Sequence, residues 1–125
     1  MGRPVVHFEI TGSDPRRLRR YYSDLFGWEH NVGDAATPAV SQDGEYGFID
    51  AATNGGGING GVGGGAGYES RVLFYVSVDD VEKTLTRAEE LGGERVMGPE
   101  GQPGKLVVGF FTDPEDHLIG VAGIG

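Results

Sequence analysis

His7 and Glu9 stand two residues apart in the run "VVHFEI". On a β-strand that spacing puts the imidazole and the carboxylate on one face, because successive side chains alternate across the sheet. Such a pair can move a proton, or recognise an amine or hydroxyl of a ligand. It can also be a plain structural hydrogen bond, or Glu9 can be taken up by an arginine. The chain has no cysteine, which removes thiol nucleophiles, cysteine zinc sites and disulfides. Tyr75 offers a flat apolar wall ending in a hydroxyl. Asn59 can hydrogen-bond a ligand or serve a turn. His117 reads as a surface or turn residue. Arg16, Arg17, Arg19 and Arg20 crowd one helix start, where they oppose the helix dipole, and read as a solvated face.

The strand that holds His7 and Glu9 belongs to a repeat. An offset of 66 residues pairs Phe8 with Phe74, Ile10 with Val76, Asp14 with Asp80 and Leu25 with Leu91. Each copy reads as a strand, an acidic cap, an amphipathic helix and a glycine stop. The strands are "VVHFEI" and "VLFYVSV", β-branched and aromatic. The first helix has Asp14 as cap, Pro15 at its first position and a stripe of Leu18, Tyr21, Tyr22 and Leu25. The second has the stripe Val81, Leu85, Ala88 and Leu91. Gly27 and Gly92 suit left-handed helix ends. "EYGFIDA", "GERVM", "KLVVGFFTD" and "HLIGVAG" read as further strands, and "GPEGQPG" as a loop. The expected fold is α+β: two βαβββ modules, residues 1–62 and 70–125, with pseudo-twofold symmetry.

Between the modules lies "NGGGINGGVGGGAG". From Gly55 it matches the dinucleotide pattern G-x-G-x-x-G, but no helix can start inside it and no lysine follows, so phosphate binding is disfavoured. Gly55 to Val62 reads as a glycine-laced strand that leaves room for a ligand or another backbone, and Gly63 to Gly67 as a linker.

Nineteen acidic against ten basic residues give a formal charge of −9. That disfavours nucleic acid and anionic membranes as partners and suits a cationic ligand. The apolar runs are short, which suggests a cytoplasmic protein.

The stretches "HFEITGSDPRRLRRYYSDLFGWE", "FYVSVDDVEKTLTRAEELGG" and "FFTDPEDHLIGV" resemble the vicinal oxygen chelate superfamily of glyoxalase I, extradiol dioxygenases and bleomycin-resistance proteins. The resemblance implies that the sheets curl into a cup with helices outside. It also implies a divalent metal held by side chains from the first and last strands of both modules. Only His7 falls on such a position. The others carry Leu73, Gly120 and the glycine run, which has no acid or histidine from Ala51 to Tyr68. One imidazole alone binds a cation too weakly, so no cofactor is expected.

Alternation puts Val6, Phe8 and Ile10 opposite His7 and Glu9, and Val72, Phe74 and Val76 opposite Leu73, Tyr75 and Ser77. Ile119 and Val121 oppose Leu118, Gly120 and Ala122. The apolar faces should meet the helices; the resemblance makes the other faces the cup. The expected ligand contacts are His7 and Glu9, with Leu73 and Tyr75 as walls, Gly120 leaving space, and Asn59 and Phe111 nearby. The function expected first is metal-free binding of a small organic molecule. A lyase, isomerase or dioxygenase using His7 and Glu9 comes second, and a partner-binding module third. Relatives that complete their cups across a twofold axis imply a homodimer, as do open sheet edges. Elemental analysis after extensive dialysis should find no stoichiometric metal. Near one equivalent of zinc, nickel, manganese or iron would overturn that expectation.

Overall fold

The computed structural model describes residues 2–125. The chain divides into two compact units, His7–Val72 and Leu73–Gly125, the latter joined by the residues up to Val6. The element order is β1 (Val5–Gly12), α1 (Pro15–Phe26), β2 (Asn31–Gly33), β3 (Tyr46–Ile49), β4 (Asn59–Gly64), β5 (Arg71–Ser77), α2 (Val81–Glu90), β6 (Glu94–Gln102), β7 (Leu106–Thr112) and β8 (Leu118–Gly123). Each unit is therefore βαβββ in an α+β fold. Among the described residues, no helix is long and apolar enough to cross a membrane.

The two units repeat one topology. In the first, the strands run β2-β3-β4-β1, with β4 and β1 parallel and the other pairs antiparallel. In the second they run β6-β7-β8-β5, with β8 and β5 parallel. The sequence reading missed β2, which is only three residues long. It also assigned "GPEGQPG" to a loop, yet β6 continues to Gln102. Register shifts between Arg95 and Met97 and between Met97 and Glu100 take up Pro99, as an edge strand permits. The glycine strand lies further along than expected, at Asn59–Gly64, so Gly63 and Gly64 belong to β4 and not to a linker.

The two helices differ in what they cover. Asp80 caps α2 by accepting from the Lys83 N–H, and Val81 and Leu85 are fully buried against Val107 and Val121. Asp14 caps α1 in the same way through Arg17, Pro15 opens it, and Gly27 closes it in the left-handed conformation at φ 73°. Pro15 is nevertheless the only fully buried residue of α1. Of the expected stripe, Tyr21 and Leu25 stay 59% and 56% exposed. On β5, Val76 packs against the α2 core as expected, but burial does not follow the face assignment for the rest. Leu73 and Tyr75 are buried, while Val72 is 75% exposed.

Packing explains β4. It lies between β1 and β3, so a side chain from β3 must cross it to reach β1, a span of two strand spacings of about 4.8 Å each. Tyr46 makes that crossing. A Cβ on Gly61 would stand 2.0 Å from Tyr46 Cε1 and 2.2 Å from its hydroxyl. On the other face, a Cβ on Gly60 would stand 2.1 Å from Phe8 Cε1. The expected free space over the glycine strand is filled by the chain's own rings. Gly61→Ala should therefore destabilise the protein by about 1–3 kcal/mol through overpacking. Gly33→Ala on β2, whose added Cβ meets only Phe48 at 4.0 Å, should change stability by no more than about 0.5 kcal/mol. Urea denaturation of the two variants checks the contrast.

Candidate functional site

Strand alternation places His7 and Glu9 on the same face of β1, in register with Asn59 and Gly61 of β4. Tyr46, crossing over Gly61, ends between them. Its hydroxyl donates to Glu9 Oε1 at 2.8 Å and lies 2.8 Å from His7 Nε2. A phenol has one proton. With that proton on Glu9, the bond to His7 requires Nε2–H to donate to the phenol oxygen, which makes the neutral imidazole basic at Nδ1. The result is a continuous chain, imidazole to phenol to carboxylate. Glu9 is 2% exposed and Tyr46 2% exposed. Burial holds the His7 imidazole below its ordinary value of 6.5, which favours the neutral form this geometry needs.

Tyr46 was not among the residues singled out in the sequence. It sits in "EYGFIDA", and nothing local marks a tyrosine that reaches residues 37 and 39 positions away. On α1, Arg16 and Arg19 both pair with Glu45. Asn59 opens β4 with an exposed side chain, and its Oδ1 accepts from the Ala51 N–H at 2.9 Å, so it caps a turn. His117 likewise bonds to Asp113 within its own turn.

The remaining expected contacts lie in the second unit. Tyr75 pairs with Gly120 across β5 and β8, and a Cβ on Gly120 would stand 2.6 Å from Tyr75 Cδ2. The room above Gly120 is therefore taken by the Tyr75 ring, which also meets Phe110 at a centroid distance of 5.9 Å. Phe111, read either as a wall of the cup mouth or as core, takes the core place and not the ligand contact. It packs with the α2 core of Val81, Leu85, Val107 and Val121, so it lies on the helix face. Its neighbour Phe110 shares the Tyr75 side, one residue of alternation away.

A divalent ion does not suit these side chains. His7 Nε2 and Glu9 Oε1 are both engaged by Tyr46. Leu73 and Gly120 supply no ligand atom, and Gly61, opposite Glu9, has the Tyr46 ring over it where a carboxylate would stand. Among the described residues, no three His, Cys, Asp or Glu side chains gather closely enough to hold a metal.

The fold has many relatives among solved structures. A Streptomyces coelicolor methylmalonyl-CoA epimerase variant in complex with 2-nitronate-propionyl-CoA is similar at 13% identity and a TM-score of 0.64, over 97% of this chain and 94% of that one. A glyoxalase/bleomycin resistance protein/dioxygenase superfamily member from Vibrio splendidus 12B01 is similar at 17% identity and 0.55, over 98% and 99%. The Mn(II)-bound glyoxalase from Novosphingobium aromaticivorans is similar at 18% identity and 0.60, over 99% of this chain but 40% of that one. No curated protein matches the chain. At these identities the likeness concerns the fold alone. The family model for the glyoxalase/bleomycin resistance protein/dioxygenase superfamily matches residues 5–121, and with the repeated βαβββ topology this establishes that the chain belongs to that superfamily.

Proposed function

We propose that the protein binds a small organic molecule without a metal ion, using the wall formed by His7, Tyr46 and Glu9. The observation that carries this reading is the His7–Tyr46–Glu9 hydrogen-bonded chain, with both bonds at 2.8 Å. Buried polar groups ordered by one another make a preorganised recognition surface. The chemistry suits a ligand with an amine or hydroxyl. A neutral imidazole offers an acceptor to it, the carboxylate offers charge, and the −9 charge of the chain attracts a cation. The reading includes a homodimer.

A second reading, proton transfer, is favoured by the same two bonds. A proton taken up at His7 Nδ1 leaves an imidazolium whose Nε2–H can pass to the Tyr46 oxygen as the Tyr46 proton passes to Glu9. The imidazole then returns to neutrality, and the carboxylate holds the proton. That is acid–base work of the kind an isomerase or lyase requires. Fold likeness to an epimerase at 13% identity leaves the substrate open.

A thermal-shift panel of small amines, alcohols and carboxylates, followed by calorimetry of the best hit, tests the binding reading. Tyr46→Phe and His7→Phe should each weaken that hit by about tenfold or more, equivalent to about 1.4 kcal/mol, and EDTA should leave it unchanged. A hit bound equally by the parent and both variants would place the ligand elsewhere. Isotope exchange catalysed by the parent and lost in Tyr46→Phe would favour the second reading.

The lowered His7 value also sets a pH dependence. Unfolding returns the imidazole to about 6.5, so the unfolded chain binds more protons just below that pH. The stability due to neutral His7 is thus complete above 6.5 and is lost as pH falls through the lower, folded value. Burial and Arg19 shift His30 in the same direction, so the parent alone does not isolate His7. His7→Gln should show a shallower fall in urea midpoint than the parent from about pH 7 to pH 5. Parallel curves would show that His7 makes no such contribution.

A further inference from the structure

The charges on α1 are arranged against its own dipole. No acidic residue lies in its first turn and no basic residue in its last. Arg17 and Arg20 lie in its first half, beside the positive end, and Asp24 lies near the negative end. Arg20 and Asp24 are four residues apart, but in the order that makes the weaker intrahelical pair. Both are exposed, and neither has a side-chain partner among the described residues. Arg17, Arg20, Tyr21, Asp24 and Leu25 follow a spacing of 3, 4, 7 and 8, so they form one face, and all five are exposed. Tyr21 and Leu25 give that face an apolar centre, 59% and 56% exposed, with Phe26 beside it at 58%.

We propose that this face docks on the same face of a second copy of the chain, the two α1 helices antiparallel about a twofold axis. A surface of this composition resolves its own conflict in that arrangement. Each helix brings its arginines to the negative end of its partner, and each brings Asp24 to the partner's positive half. Arg20 of one copy meets Asp24 of the other, twice, and Tyr21 and Leu25 close the centre between them. A twofold interface must be self-complementary, and this face carries both halves of its charge pattern. Exposed aromatic and arginine side chains are also the types that contribute most at protein interfaces.

The surface rests on the homodimer of the proposed function, and light scattering with analytical ultracentrifugation separates the two. The parent should have twice the 13.2 kDa mass of the chain. Arg20→Asp and Asp24→Arg should each raise the dimer dissociation constant by about tenfold or more, and the double exchange should restore it to within about threefold. Leu25→Glu should give a monomer whose melting temperature, extrapolated to low concentration, matches the parent's. A parent that stays monomeric at about 100 µM would sink self-association itself. A dimer whose constant is the same in every variant would leave self-association standing and overturn this surface.

Discussion

The crossing of β4 by Tyr46 is the constraint on which the first unit depends. A tyrosine rooted on β3 can reach β1 only if the strand between them has no side chain in its path, and Gly61 meets that demand: even a Cβ there would stand 2.0 Å from the Tyr46 ring. The strand is thin on both faces, since Phe8 fills the place over Gly60. Glycine in a strand costs about 0.5–1 kcal/mol relative to alanine in lost chain entropy. Pairing on both edges, with β1 and with β3, offsets that cost. Ser41 adds to it at the far end, accepting from the Gly64 N–H at 2.9 Å and donating to the Gly64 carbonyl.

The second unit solves the same problem with a different tyrosine. Gly61 pairs with Glu9 and Gly120 pairs with Tyr75, and Glu9 and Tyr75 are themselves equivalent at the offset of 66 residues. Gly61 and Gly120 thus hold equivalent places in the two modules. Over Gly61 lies a ring from the third strand of its module, reaching toward the first. Over Gly120 lies a ring from the first strand, reaching Phe110 on the third. In the sequence resemblance Gly120 stands where a metal-binding carboxylate would be expected. A tyrosine ring fits at each glycine because no side chain stands there.

The repeat, the caps and both helices were legible because each has a local signal: a period, a capping acid, a proline or a glycine. The strand run to Glu9 was legible too, and alternation alone put His7 and Glu9 together. What failed was long-range. Tyr46 gave no local sign of its target, and the glycine run was read as leaving space when that space was already claimed. Phe110 was not singled out because the side it takes depends on pairing with β8 across a short turn, in which it faces Gly120. The three residues of β2 and the bulged end of β6 carry too little period to be recognised.

Duplication left the modules with different interiors. Glu9, Thr11, Thr37 and Ser41, buried charged or small polar side chains, all belong to the first unit. The second buries Leu73, Tyr75, Val81, Leu85, Val107, Val108, Phe110 and Val121, and α2 closes over the aliphatic part of that set. The interior of the second unit is mostly aliphatic and aromatic, with the Tyr75 hydroxyl as a polar end, whereas the first buries a carboxylate, which is tolerable only if hydrogen-bonded. The first unit therefore depends on geometry where the second depends on volume. A lost hydroxyl at Tyr46 removes a donor from Glu9, while a lost methyl in the α2 core costs only contact area and the cavity it leaves. The hydrogen-bonded polar interior of the first unit lies on β1 and β3, across the glycine strand.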